Sequence, residues 1–567
     1  MPSDAPHPPP AQARAPSRAL DPRVPLLVLV AAAMVLLVVW PVAQVVYRSL
    51  LVDGGLGLDH YRRAIVHPGN LRALTNTVWV GVASAAGAMI AGAVLAFLVM
   101  RTDIPGKGWL RTLLIMPYAV PPFFGAIAWA QLLGPQGYLM RPLIALLGLE
   151  QAPFSIYSAW GIVFVMAIHA FPLVFLTVSG ALERMDASLE EAARTSGAGS
   201  LRVMRDVTMP LVLPALLAGG LLAFIHSIAN FGIPALLGIR VRFYVLTTSI
   251  YASLNIPDFP LATAKSMLLV AVGAAALAVQ WRLQRGQQRY TVIAGKSIHP
   301  QVIRLGPLRR VAFALAVLFA AVIAVLPLFS LLLTSLLKYY GAPLAVASLT
   351  LKHYAYVANQ GVIRRALANS ALLGVSAATI TMVLGTFVAY ARIRAKLRGA
   401  AALDTLGMLP YAVPHTVIAI AMILAWARPP VALYGTIWII LLAYIVAYMP
   451  LSLRTTSATL QQVHESLEEA ARVSGAGPLR AMRDIIIPLV RPGMVAGWIL
   501  VFMPAFRELT MSILLFGLRT ETIGVIIFNM QSSGYTQIAA ALSVLVCVLI
   551  LGSNLIVRKA TRGQVGF

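Results

Sequence analysis

Acidic residues and cysteine are scarce in this 567-residue chain: there are 19 Asp and Glu against 44 Lys and Arg, and a single cysteine, Cys547. One thiol excludes an internal disulfide and any cysteine cluster for zinc or iron–sulfur, so Cys547, inside an apolar run, reads as a small packing residue. The shortage of acids argues against an ion-driven secondary transporter, whose helices carry buried carboxylates as coupling sites. Charge of either sign is only 11% of the chain, while 59% is hydrophobic and the mean hydropathy is +0.84. No soluble core needs that much apolar sequence.

The apolar residues fall into runs of about 20, enough to cross roughly 30 Å of hydrocarbon. Such runs lie near 25–47, 76–100, 110–133, 158–181, 211–235 and 262–281, and again near 310–336, 369–391, 404–427, 433–453, 489–513 and 536–557. This predicts an all-α polytopic membrane protein of about twelve transmembrane helices. The first 24 residues, rich in Pro and Ala, read as a disordered cytoplasmic tail. The run after them is longer than a signal-peptide core and is expected to remain as the first transmembrane helix.

The net charge of +25 suggests nucleic acid only until the charges are located. Arg282, Arg285, Arg289, Lys296, Arg304, Arg309 and Arg310 crowd one connector without an acid. Other basic clusters sit at Arg101/Lys107/Arg111, Arg392/Arg394/Lys396/Arg398 and Arg558/Lys559/Arg562. All fall on one side of a twelve-helix arrangement, which the positive-inside rule makes the cytoplasm, together with both termini. Arg62/Arg63 and Arg364/Arg365 run against the trend. The basic residues therefore set topology and touch anionic lipid, and nucleic acid is not an expected partner.

The chain is also an internal duplication. Ser188 to Gly219 reads SLEEAARTSGAGSLRVMRDVTMPLVLPALLAG and Ser466 to Gly497 reads SLEEAARVSGAGPLRAMRDIIIPLVRPGMVAG, at a constant offset of 278. A second match, Asn76 and Pro117-Tyr118-Ala119-Val120-Pro121 with Asn369 and Pro410-Tyr411-Ala412-Val413-Pro414, has an offset of 293. Both long repeats are polar islands between apolar runs, so each half presents one element to a similar partner. Ser188 stands three residues before Glu191, and Ser466 three before Glu469. This capping-box spacing predicts a helix start, and Gly197 and Gly475 are placed to end the helix in a left-handed turn.

Glu191-Ala192-Ala193, Gly197, Val207, Met209 and Pro210, with Glu469-Ala470-Ala471, Gly475, Ile485, Ile487 and Pro488, resemble the EAA loop of binding-protein-dependent ABC importer permeases. The resemblance covers nearly the whole chain after residue 25. It implies two tandem six-helix permease units, 25–281 with its loop at 188–210 and 310–567 with its loop at 466–488, joined by a basic cytoplasmic connector, 282–309. It further implies that Glu191, Ala192, Ala193, Gly197, Glu469, Ala470, Ala471 and Gly475 dock two copies of a cytoplasmic ATP-binding subunit. A periplasmic solute-binding protein would serve the opposite face of a bacterial inner membrane.

No catalytic, cofactor or metal site is expected on this chain. Gly295-Lys296-Ser297 looks like the end of a phosphate-binding loop, but Tyr290 occupies the place of its first glycine.

Fused permeases are similar to the ferric-iron, thiamine and 2-aminoethylphosphonate groups. Phe231-Gly232-Ile233-Pro234-Ala235-Leu236-Leu237-Gly238, Arg507-Glu508-Leu509 with Ile513-Leu514-Leu515, and Arg289-Tyr290-Thr291-Val292 with Gly295-Lys296 resemble the ferric-iron group. Asn230 and Thr510 depart from that pattern, where an acid and a proline are common. Ferric iron is the first solute expected, with thiamine, 2-aminoethylphosphonate and polyamine as alternatives. Polar groups inside spans are the best pointers to a pathway. Asn230 and Glu508 hold equivalent positions and are the candidates for its walls.

Overall fold

The computed structural model describes residues 23–256, 258–287, 302–464 and 466–560. Most of the expected tail, and the connector's Arg289–Lys296 stretch with Gly295-Lys296-Ser297, lie outside the described residues.

The architecture is all-α. Its strands among the described residues are the two-residue pair Leu51–Val52 and Gly55–Leu56. Ten long apolar helices are continuous: Pro25–Leu50, Pro68–Arg101, Ala159–Glu183, Ser200–Ala229, Phe259–Leu283, Leu308–Leu336, Gly361–Ile393, Ile437–Gln461, Met482–Phe506 and Thr536–Ser553. Two further spans are bent, Lys107–Ala119 with Pro122–Leu133 by 99° and Ala400–Ala412 with His415–Trp426 by 113°. In chain order these are spans 1 to 12, with spans 3 and 9 broken. Both breaks fall in the repeated Pro-Tyr-Ala-Val-Pro. Proline lacks an amide hydrogen and pushes the residue before it out of helix, and Val120 and Val413 are extended (ψ 137° and 120°).

Spans 5 and 11 begin and end earlier in the chain than expected. They stop at Ala229 and Phe506, and a third bent pair, Gly232–Val241 with Leu246–Asn255, follows span 5. Ser512–Leu515 and Ile523–Ser532 take the corresponding place after span 11. Hydropathy does not reveal these breaks, because the apolar runs continue beyond them, through 231–237 after Asn230 and through 511–516 after Arg507 and Glu508. The backbone groups they free are satisfied by polar side chains, as a bilayer interior requires. Thr77 Oγ1 accepts the Leu246 amide at 2.7 Å and Asn76 donates to the Tyr244 carbonyl. Ser370 Oγ accepts the Ile523 amide at 2.9 Å and Asn369 donates to the Arg519 and Glu521 carbonyls. The repeated Asn therefore marks a repeated clamp.

Proline also explains four wide turns. Val35–Val39, Met204–Thr208, Ala321–Val325 and Met482–Ile486 are π-helical, and each is followed two residues on by a proline: Pro41, Pro210, Pro327 or Pro488. An amide that cannot donate shifts the helix locally from i→i+4 to i→i+5 bonding.

The two halves are interlocked. Span 1 packs Leu27, Val30 and Met34 against Phe387, Val388 and Leu403 of the second half. Reciprocally, span 7 donates from Thr334 to Gln131 at 3.0 Å and packs Phe319 on Phe171, ring centroids 5.8 Å apart. Within each half the most extensive crossing, of span 2 with span 4 and of span 8 with span 10, uses a glycine. A methyl at Gly92 would lie 2.7 Å from Val174 Cβ, and one at the equivalent Gly385 2.2 Å from Ser452 Oγ, so only Gly lets the spans approach this closely. The end of the connector straps onto span 2: the Ile303 amide donates to the Arg101 carbonyl at 2.7 Å and the Leu305 amide to Asp103 at 3.0 Å. The latter bond holds the Asp103 carboxyl below its ordinary range.

Candidate functional site

The two polar islands fold as helices Ala187–Thr195 and Ser466–Val473. In the first island the expected capping box does not form. Asp186 is the cap, accepting the Ser188 amide at 2.9 Å, and Ser188 lies within the first turn. A carboxylate satisfies the helix dipole as well as the amide, which a Ser hydroxyl does not. The bond to Ser188 holds the Asp186 carboxyl below its usual value. The matching position in the second island is His464, whose Nδ1 lies 2.8 Å from Ser466 Oγ.

Both helices end at the expected glycines. Gly197 and Gly475 have φ of +85° and +83°. Ala198 N–H donates to the Ala193 carbonyl at 3.0 Å and Ala476 N–H to the Ala471 carbonyl at 2.9 Å, closing a Schellman turn in each copy.

The acid pairs split, because neighbours on a helix diverge by about 100°. Glu191, Ala192, Glu469 and Ala470 face outward, Ala193 is half-buried and Ala471 buried. Glu190 turns inward, pairs with Arg101 at the end of span 2 and accepts from Thr208 Oγ1 at 2.6 Å. Its side chain is 3% exposed and that of Arg101 1%. Glu468 turns inward likewise and accepts from the Tyr390 hydroxyl of span 8 at 2.9 Å. Each short helix is thus tied to a long span through one buried carboxylate, while Leu189, Leu201 and Val473 stay exposed.

The second candidate region is the seam between the halves. Asn230 Oδ1 accepts the Ile233 amide at 3.0 Å, starting the helix after span 5. Glu508 does the same after span 11, accepting the Met511 amide at 2.9 Å and the Ser512 amide at 3.0 Å, with His415 Nδ1 at 3.6 Å. The two positions are equivalent caps, each committed to its own half. Their neighbours meet across the seam: the Phe231 and Phe528 rings are 6.0 Å apart, and a methyl at Gly232 would lie 3.6 Å from Leu509. Tyr118 and His226 rings lie 6.1 Å apart nearby, and His415 and Tyr448 rings 5.7 Å.

Residues 86–340 and 381–563 each match the family of binding-protein-dependent transport system inner membrane components. The chain belongs to this family. The permease is 28% identical over 560 residues to a probable ABC transporter permease protein, y4fN, of Sinorhizobium fredii, covering 95% of this chain and 96% of that one. It is 26% identical to the ferric transport system permease protein FbpB of Actinobacillus pleuropneumoniae, over 91% of this chain and 74% of that one. A putative 2-aminoethylphosphonate transport system permease protein, PhnU, of Salmonella typhimurium is 31% identical over 38% of this chain and 75% of its own length. A solved bacterial ABC transporter that imports alginate is 16% identical, with a TM-score of 0.40, over 47% of this permease and 96% of that chain.

Sequence reasoning passed over Glu190, Glu468 and Tyr390 and counted Arg101 among the topology-setting cations. The available signal was the doubled acid: of two adjacent glutamates on a docked helix, one must face the protein.

Proposed function

We propose that this permease is the transmembrane subunit of an ATP-driven importer, with Glu191, Ala192, Ala193 and Gly197 of the first half and Glu469, Ala470, Ala471 and Gly475 of the second docking two copies of a separate ATP-binding subunit. The observation that carries this reading is the duplicated helix: an outward face, a glycine-terminated end and an inward carboxylate tied to a long span. ATP binding draws the docked loops together, and the Glu190–Arg101 and Glu468–Tyr390 links carry that displacement into spans 2 and 8. A periplasmic binding protein delivers the solute to the opposite face, and both termini are cytoplasmic. Ferric iron is the proposed cargo, supported by the similarity to the ferric permease over 91% of this chain. The similarity to the 2-aminoethylphosphonate permease, 31% identical over 219 residues, keeps that solute as the second reading. Uptake of radiolabelled ferric iron and of 2-aminoethylphosphonate in cells with and without the permease tests the choice. Iron uptake independent of the permease rejects iron.

The path is proposed to follow the seam past Asn230 and Glu508, which gives both residues a double duty. Glu508→Gln loses one acceptor facing the Met511 and Ser512 amides and removes the carboxylate, so solute flux is expected to fall with the binding protein's affinity unchanged. Asn230→Asp keeps an equally good cap and adds a favourable charge for a cationic solute, so it is expected to be tolerated. Uptake measured against membrane protein level checks both. A fully active Glu508→Gln permease would remove Glu508 from the path and from any needed cap.

A further inference from the structure

The first helix of span 3 ends at Ala119 because Pro121 and Pro122 follow it. These two residues have no amide hydrogens, and the helix that restarts beyond them bonds the Phe124 and Gly125 amides to the Pro121 carbonyl. The Ala119 carbonyl is left without a helical donor inside an apolar bundle, where an orphan acceptor is costly. Its donor comes from the other half of the chain: Arg507 Nη1 reaches across the seam to it. Arg507 is the first residue past span 11, at the point where that helix breaks. Its neighbour Glu508 is held by the second half's own helix. One break residue is therefore bonded to each half.

Among the described residues the arrangement occurs once. The residue equivalent to Arg507 at the 278 offset is Ala229, whose methyl cannot donate, so the break of span 9 receives no matching arm from span 5. Beside the contact lie the other seam contacts, Phe231 with Phe528 and Gly232 with Leu509. At this level the halves cannot part without separating Arg507 from Ala119. Once they part, the guanidinium and the carbonyl both meet the water that enters. The bond thus favours the closed seam and costs little in the open one.

We propose that Arg507 is a positioning residue for transport, a cross-half latch that holds the seam closed between transport events and releases the Ala119 carbonyl when the halves rotate apart. The proposal rests on the import reading only in requiring that the halves separate during the cycle.

Phe231→Cys and Phe528→Cys, placed together in a Cys547→Ala background, report seam closure through a short bifunctional thiosulfonate reagent applied to membranes. Arg507→Met keeps the chain length and removes the donors. It is expected to lower the closed-to-open ratio about tenfold, the loss expected for one charge-assisted hydrogen bond, and so to cut the cross-linked fraction. Arg507→Lys, which retains a cationic donor, is expected to restore much of it, a rescue that lost packing alone would not produce. Unchanged cross-linking in an Arg507→Met permease present at normal level overturns the latch. So does the disappearance of the Met and Lys variants alike from the membrane, which would make Arg507 a folding residue. Because the cross-link needs neither solute nor ATP-binding subunit, these outcomes leave the import reading standing. Failure of that subunit to co-purify would count against the import reading alone.

Discussion

A Glu190→Leu permease is expected to lose most of its uptake and more stability than any other single change in the two repeated loops. The substitution leaves Arg101, 1% exposed, with its charge buried and its carboxylate gone. Breaking a buried pair from one side costs about 3–5 kcal/mol, a large share of the 5–15 kcal/mol that typically holds a domain. The Thr208 hydroxyl loses its acceptor in the same step. Thermal unfolding of the detergent-purified protein reads the loss directly. Removing both charges, Glu190→Leu with Arg101→Leu, is expected to recover much of the melting temperature, since two apolar groups replace a pair that was costly to desolvate. Uptake is not expected to return, because the link between the short helix and span 2 is still absent. A single variant that melts with the parent would show that the pair does not hold the loop.

Gly197→Val is expected to separate transport from folding. At φ +85° a β-branched residue costs about 1–2 kcal/mol or more, yet nothing lies within 4 Å of the position its Cβ would take. The penalty is therefore backbone conformation alone, and Gly197→Asn, which tolerates the left-handed region, is expected to keep near-parent activity. Gly475, with φ +83° and the same open surroundings, is expected to behave alike. Solute-stimulated ATP hydrolysis and uptake, each normalised to inserted protein, are the measurements. Parent values of both in the Val variants would remove the loops from coupling.

The helices, the duplication and the turn glycines were legible because each rests on a local rule: run length, repeat spacing and the left-handed requirement of a Schellman turn. The start of the Ala187–Thr195 helix was misread because Ser188 and Asp186 are competing caps two residues apart, and the choice depends on charge as well as spacing. The break at Asn230 was invisible because Ile233 to Leu237 continue the apolar run beyond it. Glu190 and Arg101 escaped notice because they lie 89 residues apart, and a pair at that separation leaves no periodic trace. Asn230 and Glu508 were singled out for their polarity. The structure adds that each starts a helix, a role that the sequence around them does not announce.

The exchange of first spans between halves has a consequence for synthesis. Leu27, Val30 and Met34 rest on Phe387 and Val388, some 360 residues downstream, which at about 5–20 residues per second take roughly 20–70 s to translate. For that interval span 1 sits in lipid without its partner, and the amino-terminal half cannot reach its mature packing before that part of the second half is made. The assembly step comes late and joins distant segments, so a chain interrupted between the halves would leave each with an unmatched helix face that only the other can cover.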